Sequence, residues 1–145
     1  MRNWQNTGVS SLGVKKGEHI LEIGCGWGGF AAYAAQQGIR VTAITISERQ
    51  AAYAMERLSE IGLTDRVSVE LCDYREIKGR YDYAVSIGMF EHVGEKYWPD
   101  FFRTIRMCLK TGGKAMVQSI TMDAHLFESL RGYTGFMDSY IFPGG

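Results

Sequence analysis

The chain is short of several things, and each shortage narrows what it can be. Its cysteines, Cys25, Cys72 and Cys108, are few, odd in number, far apart and without C-x-x-C spacing. That pattern argues against a disulfide framework or a zinc site and leaves free thiols in a reducing compartment. Excess charge is missing too, because 16 Lys and Arg balance 16 Asp and Glu. A strongly basic, nucleic-acid-binding surface is therefore not indicated. With no signal-peptide pattern and no long apolar run, the expectation is a cytoplasmic protein that does not span a membrane. Repeats, low-complexity tracts and linkers are also absent, and 145 residues suit one domain with a real core.

What is present is an alternation of strand and helix patterns. His19–Gly24 reads as a first strand, followed by glycines and a helix over Ala31–Gln37 that Gly38 stops. Arg40–Thr45 reads as a second strand. Ser47 then caps a helix, and Gln50 three residues on gives an S-x-x-Q capping box. Ala51, Met55 and Leu58 form that helix's apolar stripe, with Gly62 as its stop. Arg66–Leu71 and Tyr81–Ile87 read as the third and fourth strands. A helix over Pro99–Leu109 carries Phe101, Phe102, Ile105 and Leu109 on its buried side. Gly112 and Gly113 then turn the chain into a fifth strand, Lys114–Ile120. This order implies right-handed crossovers and a Rossmann-like, doubly wound, mostly parallel α/β sheet. The first 17 residues serve as a lead-in with at most one or two helical turns. Residues 121–145 set aromatics among glycines without a clear period. Both ends read as abrupt, as in a piece of a longer protein.

The most telling run is LEIGCGWGGF, Leu21 to Phe30. An apolar strand carries an acid, Glu22, and then breaks into Gly24, Gly26, Gly28 and Gly29. Glycine allows positive φ and close approach of backbone to ligand, and the following helix N-terminus suits a nucleotide-like cofactor. Two cofactor classes compete. Gly24, Gly26 and Gly29 satisfy the dinucleotide G-x-G-x-x-G spacing. That fingerprint also wants an acid at the end of the next strand, where this chain has Thr45, Ile46 and Ser47. Acid-x-Gly-x-Gly at the first strand's end looks instead like the S-adenosylmethionine site of class I methyltransferases, and the order of features favours that cofactor.

Further segments make the resemblance narrower. LEIGCGWGGF (21–30), TISERQ (45–50), DYRE (73–76), VSIGMFEHVG (85–94), YWPDFF (97–102), LKTGG (109–113) and YIFPGG (140–145) together resemble the cyclopropane-fatty-acid and mycolic acid cyclopropane synthase family. They occur in the family's order and cover nearly the whole chain. The resemblance implies a class I methyltransferase core over 1–145, with 18–121 as its β/α part and 122–145 opening a substrate-side lid. It implies one-carbon transfer from S-adenosylmethionine to the cis double bond of an unsaturated fatty-acyl lipid. Contact with the inner membrane face would be peripheral, and assembly into an oligomer is left open.

The resemblance also assigns residues. Cofactor contacts fall on Glu22, Gly24, Cys25, Gly26 and Gly28 in the loop, and on Thr45, Ser47, Gln50, Asp73, Tyr74 and Ile87 at later strand ends. Glu22 would reach the methionine ammonium, and Asp73 and Tyr74 the adenine edge and face. Cys25 reads as inert loop filling, Trp27 as packing and His92 as structural. Glu91, just past the fourth strand, is the catalytic carboxylate. In the family its counterpart holds a bicarbonate ion that accepts a proton, with Ile87 and Gly88 completing the cradle and no metal required. Cyclopropane synthases place a His in the fifth strand as another bicarbonate ligand, and Gln118 stands there in this chain. Gln can hydrogen-bond an anion but does not titrate near neutral pH. Cyclopropane and methyl- or methylene-branched products therefore all remain open.

Overall fold

The structure, a computed structural model, describes residues 4–121 together with 123 and 125. The expected lid segment, 122–145, lies almost wholly outside the described residues. The elements run α1 (Trp4–Leu12), β1 (His19–Ile23), α2 (Gly29–Gln36), β2 (Arg40–Thr45), α3 (Glu48–Glu60), β3 (Val67–Leu71), β4 (Tyr81–Ile87), α4 (Trp98–Cys108) and β5 (Leu109–Gln118). Short 3-10 turns at Tyr74–Glu76, Phe90–His92 and Glu95–Tyr97 lie after β3 and β4.

The five strands form one sheet in the order β3-β2-β1-β4-β5, and every pairing is parallel. Strand order reverses beside β1, which pairs with β2 on one side and β4 on the other. In open α/β sheets, that reversal splays the connections apart and leaves a crevice beyond the strands' C-terminal ends. Alternate strand residues face opposite sides. Ile20, Val41, Ala43 and Val85 pack with α1 and α2, whereas Leu21, Ile23, Ile44 and Ala84 pack with Phe101, Ile105 and Cys108 of α4. The alanines of α2 (Ala31, Ala32, Ala34 and Ala35) are all buried, so that helix lies close on the sheet.

Several expected details differ. The lead-in is a nine-residue helix, α1, longer than one or two turns, because Val9 and Leu12 find a hydrophobic face beside Phe30 to bury against. Met55 is 48% exposed and Phe102 49% exposed. The buried stripe of α3 is instead Ala51, Ala54 and Leu58, and that of α4 is Phe101, Ile105 and Cys108. Leu109 opens β5 instead of closing α4. It pairs with Tyr81, and the register then jumps so that Tyr83 meets Lys114. The jump accommodates Gly112, at φ +80°, and Gly113, where a Cβ would stand 2.8 Å from the Asp82 carbonyl oxygen. The glycine pair thus makes an irregularity inside the strand and not a turn before it.

Candidate functional site

A cavity of about 640 Å³ opens at the C-terminal ends of the strands, where β1 and β4 diverge. Its walls come from Gly24 and Gly26 after β1, Thr45 and Gln50 after β2, Asp73 and Tyr74 after β3, and Ile87 and Gly88 after β4. Seven of the eleven residues expected around a cofactor are therefore brought together, with Gly88 of the expected anion cradle beside them. Glu22, Cys25, Gly28 and Ser47 are not among its lining residues.

Each of those four has a local reason. Gly28 caps α2 at φ 75°, and a Cβ there would lie 3.0 Å from the Ala54 Cβ, so its bareness serves helix packing. Ser47 is occupied as the cap of α3: its Oγ accepts from the Gln50 amide at 3.3 Å. Cys25 is buried, its amide donates to the Ile44 carbonyl at 2.9 Å, and burial, with the charge of Glu22, pushes its thiol up to about 12. It is an inert thiol at neutral pH.

Glu22 is the most informative of the four. It alternates with Ile23 on β1 and is 3% exposed, hydrogen-bonded to the Ala31 backbone in the first turn of α2. Its Oε2 has no hydrogen-bond partner among the described residues. Burial holds its carboxyl well above the usual range, against the lowering effect of the Ala31 bond. A carboxyl that is more readily protonated folded than unfolded makes the native state bind more protons above the ordinary Glu range. Stability then falls as pH rises from that range toward the folded value. Glu22→Gln is expected to flatten this fall and to raise the urea midpoint of the ligand-free protein at pH 7. An unchanged pH dependence in the variant would refute the assignment.

On the β2 side, Thr45 organises the wall. Its hydroxyl donates to Gln50 Oε1 at 2.8 Å and accepts from the Ser47 amide at 3.1 Å. The capping box is thus half formed. Ser47 caps Gln50, but the Gln50 side chain turns to Thr45 and the cavity instead of reaching back to the Ser47 amide. On the β3 side, Asp73 accepts from the Arg75 amide and Nε at 2.9 Å and from its Nη2 at 2.7 Å. This guanidinium holds the Asp73 carboxyl below the usual range. Tyr74 meets Phe101 edge-on at 5.4 Å. Trp27, which is 54% exposed, makes a similar contact with Tyr53 at 5.3 Å.

Glu91 stands beside the cavity in the turn after β4. A Cβ built on Gly88, at φ +63°, would lie 3.8 Å from Glu91 Oε1 and 4.0 Å from Gln118 Oε1. The two side chains that were expected to act together thus both come close to Gly88. Arg75, Met89, His92 and Tyr97 also line the cavity, and Ser119 donates to Glu91 Oε2 at 3.2 Å. Sequence reasoning missed Arg75, Met89, Tyr97 and Ser119 as site residues, and it read His92, which also lines the cavity, as structural. The i,i+2 spacing of Asp73 and Arg75 was a usable signal, whereas Ser119 gave none.

The model of the mycolic acid cyclopropane synthetase family matches residues 4–145. The tuberculostearic acid methyltransferase UfaA1 of Mycobacterium tuberculosis is 40% identical over 133 residues, which is 92% of this chain and 31% of that protein. The chain thus spans about a third of the length of this curated relative. Among solved structures, the cyclopropane synthase MmaA2 from Mycobacterium tuberculosis aligns with a TM-score of 0.83 at 28% identity, over 98% of this chain and 53% of that one. Phosphoethanolamine N-methyltransferase 2 of Haemonchus contortus, solved with S-adenosyl-L-methionine, aligns with a TM-score of 0.74 at 27% identity, over 89% and 32%. Both comparisons agree with a class I methyltransferase core.

Proposed function

The chain belongs to the mycolic acid cyclopropane synthetase family, and from that premise we propose that the protein is an S-adenosylmethionine-dependent lipid methyltransferase. It transfers a one-carbon unit to the cis double bond of an unsaturated fatty-acyl chain, giving a cyclopropane or a methyl- or methylene-branched lipid. The observation that carries this reading is the placement of Glu91 and Gln118 across Gly88, at the rim of a cavity built from four strand ends.

The residues fit the cofactor. The Glu22 Oε2 orphan is a buried acceptor beside the glycine loop, suited to an ammonium or to a bridging water. Gln50 presents a side-chain amide whose oxygen Thr45 already holds, leaving the amide's donors for a ligand. When bound, S-adenosylmethionine supplies the electrophilic methyl group. The protein's share is to hold the alkene in line in a dry site, because an alkene is a weak nucleophile. Attack leaves positive charge on the acyl chain, which aromatic faces such as the cavity-lining Tyr97 can stabilise. Glu91, with Gln118, would hold the ion that accepts the proton leaving the new carbon.

Bicarbonate belongs to the same reading. Glu91 and Gln118 both come close to Gly88; these two would hold the ion, and it would supply a proton acceptor. The lipid substrate resides in a bilayer, so a cytoplasmic enzyme would meet it at the inner membrane face. No helix among the described residues is long and apolar enough to cross a membrane.

The full-length protein, given methyl-labelled S-adenosylmethionine and oleoyl phospholipid vesicles, is expected to label the lipid, and mass analysis identifies the product. Label appearing only on a small soluble molecule would move the protein to a small-molecule methyltransferase on the same fold. Calorimetry against S-adenosylmethionine and NAD tests the cofactor separately; heat from NAD alone would overturn the assignment of the glycine loop.

A further inference from the structure

Asp73 caps the 3-10 turn Tyr74–Glu76 that follows β3, and with Tyr74 and Arg75 it lines the cavity. A cap needs only one bond, here from the Arg75 amide to Oδ1 at 2.9 Å. The Arg75 guanidinium adds two more, from Nε to Oδ1 at 2.9 Å and from Nη2 to Oδ2 at 2.7 Å. Such a two-pronged grip is short and fixes the plane of the carboxylate. It also takes up most of what the carboxylate can accept. Each oxygen has about two acceptor positions, so Oδ1 is filled and Oδ2 keeps a single position for a ligand.

The order of strands says which part of the cofactor arrives there. β1, β2 and β3 stand side by side. With the ammonium end beside Glu22 and the glycine loop after β1, the rest of the cofactor extends past Thr45 and Gln50 toward Asp73 and Tyr74, and its base comes last. Adenine brings one exocyclic amino group to its edge, whereas the paired hydroxyls of a ribose would ask for two acceptor positions. We propose that Arg75 is a positioning residue for base recognition, holding Asp73 so that its remaining acceptor position meets the adenine amino group. The proposal rests on the cofactor reading given under Proposed function.

Calorimetry on the full-length protein compares S-adenosylhomocysteine with S-inosylhomocysteine, which carries a carbonyl in place of the adenine amino group. The parent is expected to bind the first about 10- to 100-fold more tightly, because the carbonyl would face Asp73 acceptor to acceptor. The Arg75 side chain is 61% exposed, so replacing it leaves the core intact. Arg75→Ala is expected to lower the ratio of the two affinities about tenfold. Arg75→Lys, which keeps the charge without the fork, should lower it as well, and Asp73→Asn should abolish it. A merely structural or electrostatic role would weaken both ligands in step and leave the ratio unchanged in Arg75→Ala; that outcome overturns the proposal. So does a parent-like ratio in Arg75→Lys, which would make charge sufficient. If the parent binds both compounds alike, the proposal falls while the cofactor reading stands, and if it binds neither, both fall together.

Discussion

Replacing Glu91 by Gln is expected to lower methyl transfer to lipid by about 10²–10⁴-fold, the usual worth of a positioned acid–base group. The amide keeps the shape of the side chain and still offers Ser119 an oxygen to donate to, so the turn at Phe90–His92 has no reason to rearrange. What it loses is the carboxylate, and with it a partner for the ion that takes the proton. Glu91 is not among the residues lining the cavity, so S-adenosylmethionine should bind the variant as it binds the parent. Calorimetry alongside the labelled-lipid assay checks both halves of the expectation. A variant that transfers methyl groups at the parent's rate would remove Glu91 from the chemistry; one that loses cofactor affinity in proportion would make it a structural residue.

The second large effect is on stability. Gly28→Ala should destabilise the protein by about 2–4 kcal/mol, combining a left-handed backbone at a non-glycine residue with an overfilled contact. The backbone there has φ +75°, and the new methyl group would stand 3.0 Å from the Cβ and 3.5 Å from the Cα of Ala54. Neither atom belongs to a flexible side chain that can swing aside, so α2 and α3 would have to separate. Gly26→Ala is the natural comparison, with φ +52° and nothing within 4 Å of its Cβ. It should cost only the backbone share, about 1–2 kcal/mol. Urea midpoints of the two variants at constant m isolate the packing contribution. Equal losses would show that Gly28 is needed for its backbone alone.

Gly28 also shows why the motif was only partly readable. From the sequence, the glycines after β1 look alike, because spacing reveals where a side chain is missing but not what presses on the gap. The fold separates them: Gly24 and Gly26 border the cavity, whereas Gly28 borders Ala54. The order of strands and helices was legible because apolar alternation, the Ser47 cap and stopping glycines are local signals. The limits of β5 were not, since Leu109 is claimed by Tyr81 across the sheet, a pairing no local pattern records. The exposure of Phe102 escaped for a related reason. Helical periodicity marks a stripe, but α4 has room against the sheet for Phe101 and not for both rings. Glu91 and Gln118 were found through their segments, yet their approach across Gly88 depends on β4 and β5 being neighbours. Ser119 became visible only with that approach.

The strand order also bears on how the protein comes to be able to bind anything. One wall of the cavity stands on β1, β2 and β3 and the other on β4. The two are joined by the pairing of β1 with β4, in which Ile20 lies opposite Tyr83. Contacts between residues so far apart in the chain close a long loop before they gain anything. Until they form, half of the site has no counterpart. The appearance of cofactor affinity during refolding would therefore time the closing of the sheet.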